Sequence, residues 1–427
     1  MDTVVSRLMR LWRLRDLRNS ILFVIGMLVI FRLAAHIPIP GANIENLRLF
    51  FQSNAILGLL NLFSGGTMEN FSVVALGVAP YITSSIIFQL LAMVVPRLDA
   101  MMKEDEAGRQ KVNQWTRMAA VPLAALQGFG MISLLRQSPR PILGEFDAWT
   151  YFLTLLTLTA GTIFLMWIGE LITERKVGNG ISLLIFAGII AGLPTVIQQA
   201  AVSFDQSQLF QLILLGAVAV ATIVGVIVIT EGQRNIPVSY ARRVRGMRVY
   251  GGVDTHLPLR VNMAGVIPII FAISIILFPS MVAQFFLGAK SAMLVTLAEK
   301  VIALFQNQLF YGISYFLLVF GFTFFYTSIV FHPQQISENL QKQGGFIPGI
   351  RPGRPTAQYL SYVTNRVMLA GALFLGAIAV MPLLLQQLTG TQTLVIGGTS
   401  VLIVVSVIIE TVKQIEAQLT MHDYEGL

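Results

Sequence analysis

Gly77-Val78-Ala79-Pro80-Tyr81-Ile82 and Gly265-Val266-Ile267-Pro268-Ile269-Ile270 share the pattern G-V-x-P-x-I although they lie far apart in the chain. A second pair agrees in the same order, Gly180-Ile181-Ser182-Leu183-Leu184-Ile185 matching Gly398-Thr399-Ser400-Val401-Leu402-Ile403 as G-x-S-x-L-I. Short motifs in apolar sequence match easily by chance, so the shared order carries the weight. It implies a duplicated unit. Each unit holds five long apolar runs, and because five is odd, a second unit that crosses a bilayer must sit upside down relative to the first. Residues 1–200 and 201–427 are therefore expected to form two inverted halves of an all-α polytopic membrane protein, with a functional path along their interface.

Composition says that the solvent is lipid. Apolar residues make up 55% of the chain and charged residues 12%, and the mean hydropathy is +0.74, all far from an average soluble domain. Spans of about 20 residues are expected near 19–38, 72–95, 118–135, 150–172, 181–200, 210–229, 261–286, 308–331, 366–386 and 394–413. With the N-terminus inside, the inner segments collect 23 of the 29 Lys and Arg, so both termini are expected to be cytoplasmic. The same bias accounts for the net charge of +8 without invoking nucleic acid. Arg7, Arg10, Arg13, Arg15 and Arg18 precede an apolar run with no small-residue cleavage site, so the first span is expected to be retained. The chain has no cysteine, which excludes disulfides, thiolate metal sites and cysteine nucleophiles.

Two stretches depart from a plain bundle. Residues 55–63 are apolar but too short to cross, and Ser64-Gly65-Gly66-Thr67-Met68-Glu69-Asn70 follows. A segment of this kind re-enters the bilayer only where protein or a watery cavity shields its backbone; the alternative is an amphipathic patch on the outer surface. The second departure is a pair of long inner loops, near 230–260 and 332–365, rich in Arg and Gly. Gly and Pro at that density set turns, and Arg interleaved with aromatic residues suits a docking surface. The alternative is that these arginines only enforce topology.

The spans lack reactive chemistry. Ion-coupled carriers place acids, Lys or His near the midplane, whereas the candidates here are Arg32, Glu170 and Glu410, the last two near span ends. His36, His256, His332 and His422 are scattered, and no nucleophile with a base, phosphate loop or carboxylate pair stands at a suggestive spacing. No enzyme, no metal and no cofactor are expected. The repeat instead sets isoleucine at equivalent depths, Ile82 with Ile270 and Ile185 with Ile403. An apolar constriction stops water and ions by dewetting yet deforms around something larger than an ion. Any one of these isoleucines alone reads equally well as ordinary packing.

Beyond these features, Ala35-His36-Ile37-Pro38-Ile39-Pro40-Gly41, Pro80-Tyr81-Ile82-Thr83-Ser84-Ser85-Ile86-Ile87, Gly178-Asn179-Gly180-Ile181-Ser182, residues 255–265 and the run Gly345-Phe346-Ile347-Pro348-Gly349-Ile350-Arg351-Pro352-Gly353 closely resemble the SecY family of protein-conducting channels over nearly the whole length. The resemblance implies ten transmembrane helices around an hourglass pore that passes unfolded secretory polypeptides and releases signal sequences and membrane helices sideways into the bacterial plasma membrane. Its pore ring falls on Ile82, Ile86, Ile181, Ile185, Ile270 and Ile403, and its plug, near 61–72, on Phe63, Ser64, Gly65, Gly66, Thr67, Met68, Glu69 and Asn70. Spans two and three would part from seven and eight as a lateral gate, with Thr83 and Phe278 facing across it and Gln127 and Asn262 supplying polar contacts. Arg242, Arg243, Arg245, Arg248 and Arg351 fall on docking sites for the ribosome, including its RNA, and for the motor ATPase SecA. SecE-like and SecG-like small subunits are implied as further partners. Asn235 and Asp254 depart from the family's pattern, each lowering the positive charge of the first docking loop.

Overall fold

The computed structural model describes residues 14–53, 61, 64–104, 106–136, 141–144, 147–202, 209–240, 243–245, 248–250, 254–287, 291–389 and 398–425. In lipid an isolated segment can satisfy its own backbone only as a helix, and helices dominate. The chain runs α1 (Arg15–Ala35), α2 (Ile44–Ser53), α3 (Ala79–Val94), α4 (Pro96–Glu104), α5 (Glu106–Arg136), α6 (Ala148–Glu174), α7 (Gly180–Val202) and α8 (Leu209–Glu231). Then come β1 (Gln233–Tyr240), β2 (Arg243–Arg245), β3 (Arg248–Tyr250) and β4 (Asp254–Arg260). The remainder is α9 (Ile267–Phe286), α10 (Ala292–Gln306), α11 (Gln308–Val330), α12 (Pro333–Lys342), β5 (Gly345–Phe346), α13 (Arg354–Thr389) and α14 (Gly398–Glu425).

Every expected span overlaps a helix, namely α1, α3, α5 to α9, α11, α13 and α14. Among the described residues, Arg15–Ala35, Glu106–Arg136, Ala148–Glu174, Gln308–Lys342 and Arg354–Leu385 are long and apolar enough to cross a membrane unaided. Gly180–Pro194, Gly216–Glu231 and Ile267–Ser280 are shorter apolar stretches. The residue before a proline avoids the helical region; Val95, before Pro96, is extended, and the chain bends by 114° between α3 and α4.

The repeat is visible in the backbone. Gly77 and Gly265 have φ of 59° and 63°, each two residues ahead of a helix. Pro80 and Pro268 then occupy the second helical position, where a missing N–H costs nothing. Gly180 and Gly398 are the first residues of α7 and α14.

The helices often outrun the apolar windows. α5 begins at Glu106 rather than 118, α13 at Arg354 rather than 366, and α14 continues to Glu425. The short helices α2, α4, α10 and α12 have no counterpart in the sequence reading, because a search for wholly apolar runs passes over helices with one polar face. The two long loops are more ordered than turns alone. β1 pairs antiparallel with β4 and also with β5, so strands from both loops share one sheet in the order β4-β1-β5. Ile236, Val238 and Leu259 of that sheet pack with Ile347 and with Leu360 and Val363 of α13 in a core of their own. The expected turns fall at Gly344, Gly349 and Gly353, with φ of 73°, 82° and 95°.

The main apolar core draws on α1, α3, α6, α7, α8, α9, α11, α13 and α14. A second core gathers Ile39, Leu47, Phe51, Phe71, Ile132, Ile142 and Leu158.

Candidate functional site

Four helices linked by the repeat deliver the six isoleucines. Ile82 and Ile86 on α3, Ile185 on α7, Ile270 on α9 and Ile403 on α14 are buried in the main core, and Ile181 packs against it. That core holds many other side chains, so burial does not distinguish these six: the repeat singles out Ile82, Ile270, Ile185 and Ile403, and the family resemblance adds Ile86 and Ile181. α9 packs against both α3 and α5, and α7 against α14.

Residues 64–72 lie beside this core, with Phe71 buried in the second core and Gly65 against Gly188 of α7, and are tied at three levels. The root is main chain: the Ile39 N–H donates to Phe71 O at 2.8 Å and the Val73 N–H to Ile37 O at 3.0 Å, which fastens the end of the segment to the Ile37–Pro38–Ile39 stretch after α1. Phe71 is fully buried and takes φ of 44°, a strained value for a bulky residue. The body is polar. Asn61 Nδ2 donates to Glu69 Oε2 at 2.6 Å while the Glu69 N–H donates to Asn61 Oδ1 at 3.0 Å, and Arg48 reaches Glu69 at 3.6 Å and Asn70 Oδ1 at 3.3 Å. Thr67, fully buried, donates to Ser64 O at 2.9 Å and lies 3.3 Å from Ala75 O.

The tip is where the segment meets the helices. Gly65 and Gly66 have φ of 78° and 75°, a region open to glycine. A Cβ built on Gly188 of α7 would fall 2.5 Å from Gly65 Cα, and one on Gly65 2.6 Å from Gly188 Cα. Only two glycines can approach so closely. Arg32 Nη1 of α1 donates to Gly65 O at 2.9 Å. Phe63 lies outside the described residues.

The expected seam residues are only partly brought together. Gln127 Nε2 lies 3.4 Å from Thr83 Oγ1, a long contact that joins α5 to α3 on one side of the seam. Asn262 donates through Nδ2 to Gly265 O at 3.2 Å within its own turn, and its buried Oδ1 has no partner among the described residues. Phe278 is exposed on α9. Gln127 and Asn262 thus each make a polar contact, one from α5 to α3 and one within the turn that leads into α9.

Of the docking arginines, Arg243 and Arg245 lie on β2 and Arg248 on β3, where Arg245 and Arg248 are register partners; Arg242 lies outside the described residues. Arg351 is exposed in the turn between β5 and α13, its carbonyl held by Thr356 Oγ1 at 2.8 Å. Ion pairs between distant segments were not legible from sequence. Arg117 on α5 pairs with Glu170 on α6, and Lys413 on α14 with Glu231 on α8 at 2.7 Å. Among the described residues no three His, Asp or Glu side chains converge as metal ligands would.

Comparison with known proteins gives the family and the fold. The SecY family model matches residues 72–412. The protein translocase subunit SecY of Streptomyces galbus is 43% identical over 434 residues, covering 98% of each chain. Among solved structures, one described as a protein-conducting channel superimposes with a TM-score of 0.64 at 16% identity, covering 92% of this chain and 91% of that one. Sec61 in the canine ribosome–channel complex from the endoplasmic reticulum gives 0.57 at 16% identity with the same coverage. At that identity the two structures speak for the fold, a SecY/Sec61-like channel fold, and the sequence relationship speaks for descent. The chain belongs to the SecY family.

Proposed function

We propose that this chain is the pore subunit of a bacterial protein translocase, a non-enzymatic channel that passes unfolded secretory polypeptides and releases apolar segments sideways into the plasma membrane. Membership of the SecY family supports the activity. The observation that carries the mechanism is the seating of residues 64–70 against α1 and α7, beside the core that holds five of the isoleucines and packs against Ile181.

In this reading ten helices cross the membrane as two inverted halves, 1–200 and 201–427, around an hourglass pore with both termini cytoplasmic. Ile82, Ile86, Ile181, Ile185, Ile270 and Ile403 form the constriction, which excludes water because none of them offers it a hydrogen bond. Residues 61–72 are the plug that fills the space beyond. The contact of α9 with α3 and α5 is the closed lateral gate; a sufficiently apolar signal helix opens it by binding the open state better than the closed one. Thr83, Gln127, Asn262 and Phe278 line that seam. The sheet joining the two loops, with Arg242, Arg243, Arg245, Arg248 and Arg351, is the docking platform for SecA and for the ribosome, whose RNA phosphates and acidic surfaces suit guanidinium groups. The canine relative is described in complex with a ribosome. SecE-like and SecG-like subunits complete the assembly.

The test is single-channel conductance of the purified complex in planar bilayers, with the intact chain set against one lacking residues 63–70. The intact channel stays silent and the deletion leaks ions. An intact chain that already carries a selective ion current overturns the proposal in favour of an ion-conducting protein.

A further inference from the structure

We propose that Arg32 is the latch of the closed channel, holding residues 64–70 in their seat through the bond from its guanidinium to the Gly65 carbonyl. The inference rests on reading that segment as a plug.

Arg32 is out of place by ordinary rules. Between Arg18 and the end of α1 it is the only charged residue, and its neighbours Val29, Ile30 and Leu33 are exposed apolar side chains. A cation at such a position is costly and marks a function unless it is paired. Among the described residues no carboxylate pairs with it. Its partner is a main-chain carbonyl at 2.9 Å on the loop that the pore reading requires to move.

The geometry makes this bond a sensor of seating. Gly65 is the same residue whose Cα lies against Gly188, so the carbonyl meets Arg32 only while the two glycines touch. A small lift of the tip breaks both contacts together. The other fastenings are of a different kind. The bonds of Phe71 and Val73 hold the root, and the Asn61–Glu69 bonds run within residues 61–72, so neither resists a hinging of the tip, while the contact of Thr67 Oγ1 with Ala75 O, at 3.3 Å, is long and uncharged. Arg48 does reach the segment from α2, but its side chain is 54% exposed, and ion pairs in water are weak. A charged donor on a half-buried carbonyl is the stronger tie. It is also exchangeable, since a carbonyl carries no side-chain identity and water can replace it once the tip has left.

The chain has no cysteine of its own, so a single Met68→Cys in the translocase complex reports the position of the segment by its reaction with a membrane-impermeant thiol reagent. Replacing Arg32 by Met should speed that reaction about tenfold or more, the loss expected for one charged hydrogen bond, with normal amounts of protein in the membrane. Arg32→Lys, which keeps a charged donor, should restore part of the protection; a purely structural role for the arginine predicts no such rescue. Labelling of Arg32→Met at the parental rate overturns the latch. If Arg32→Met fails to accumulate, Arg32→Gln takes its place with the same readout and the same two outcomes. The deletion of residues 63–70 separates the latch from the reading beneath it: a leaky deletion beside a tightly protected Arg32→Met removes the latch and keeps the plug, whereas a silent deletion removes the plug.

Discussion

Gly77 and Gly265 stand at matching places in two halves of one chain and hold nearly the same backbone angle, φ of 59° and 63°. Neither is crowded. A Cβ on Gly77 would make ordinary contact with Ser64 at 3.6 Å, and one on Gly265 would meet nothing within 4 Å. Replacement by alanine therefore costs only the left-handed backbone, roughly 1–2 kcal/mol at each site. Gly77→Ala and Gly265→Ala should each lower the temperature at which the detergent-solubilised protein aggregates by a few degrees, and by similar amounts. A large difference between them would mean that packing, and not a shared backbone, governs these positions.

Gly188 makes a sharper case, since its added methyl would meet backbone and has no flexible neighbour to push aside. Gly188→Ala should unseat the tip of the 64–70 segment and give a steady ion leak in planar bilayers. Gly192, one turn further along α7, has nothing within 4 Å of its would-be Cβ. Gly192→Ala should leave the channel silent, and as a helix-favouring change it should add up to about 1 kcal/mol of stability. A leak from both variants would point to α7 itself and away from the glycine contact.

The Arg117–Glu170 pair joins α5 to α6, with side chains 45% and 22% exposed. Removing one member strands the other. Arg117→Ala or Glu170→Gln should reduce stability by about 1 kcal/mol, a figure held low by solvent screening. The double variant should lose less than the two single losses combined, and simple additivity in a double-mutant cycle on heat-induced aggregation would show that the pair is not coupled.

Arg351→Glu should abolish SecA-driven export from membrane vesicles while the protein still accumulates and folds. The side chain is exposed, and the turn beneath it is fixed by the Thr356 hydroxyl on the Arg351 carbonyl and by two glycines at positive φ, none of which needs the guanidinium. Normal SecA-dependent export from Arg351→Glu vesicles would remove Arg351 from the docking surface.

How much could be read beforehand depends on the kind of constraint. The Gly-x-x-Pro of each repeat was legible because left-handed backbone and a helix start select those residue types directly. The apolar windows located helices but not their ends, since α5, α13 and α14 continue through polar sequence once packing or a neighbouring element supports them. The β4-β1-β5 sheet was hidden, because β1 and β4 are charged and proline-containing and the short β5 comes from the other loop. Gly65 was in view as part of the re-entrant segment, and Arg32 as a lone charge in a span. That one bonds the other could not be seen, for nothing in either local sequence encodes a contact between a helix and a distant loop.

The strand pairing of Ser239 with Phe346 and of Tyr240 with Gly345 welds two loops that sequence alone keeps apart. β4 ends at Arg260, a few residues before α9, while β5 leads within a short turn to α13. A load applied anywhere on this plate is shared between two roots, and one of them is the helix that packs on α3 and α5. The loops thus form one joined plate and not a pair of separate tethers, and, if the plate is the docking platform proposed above, a partner pushing on it would act with leverage on α9 without touching α3 or α5.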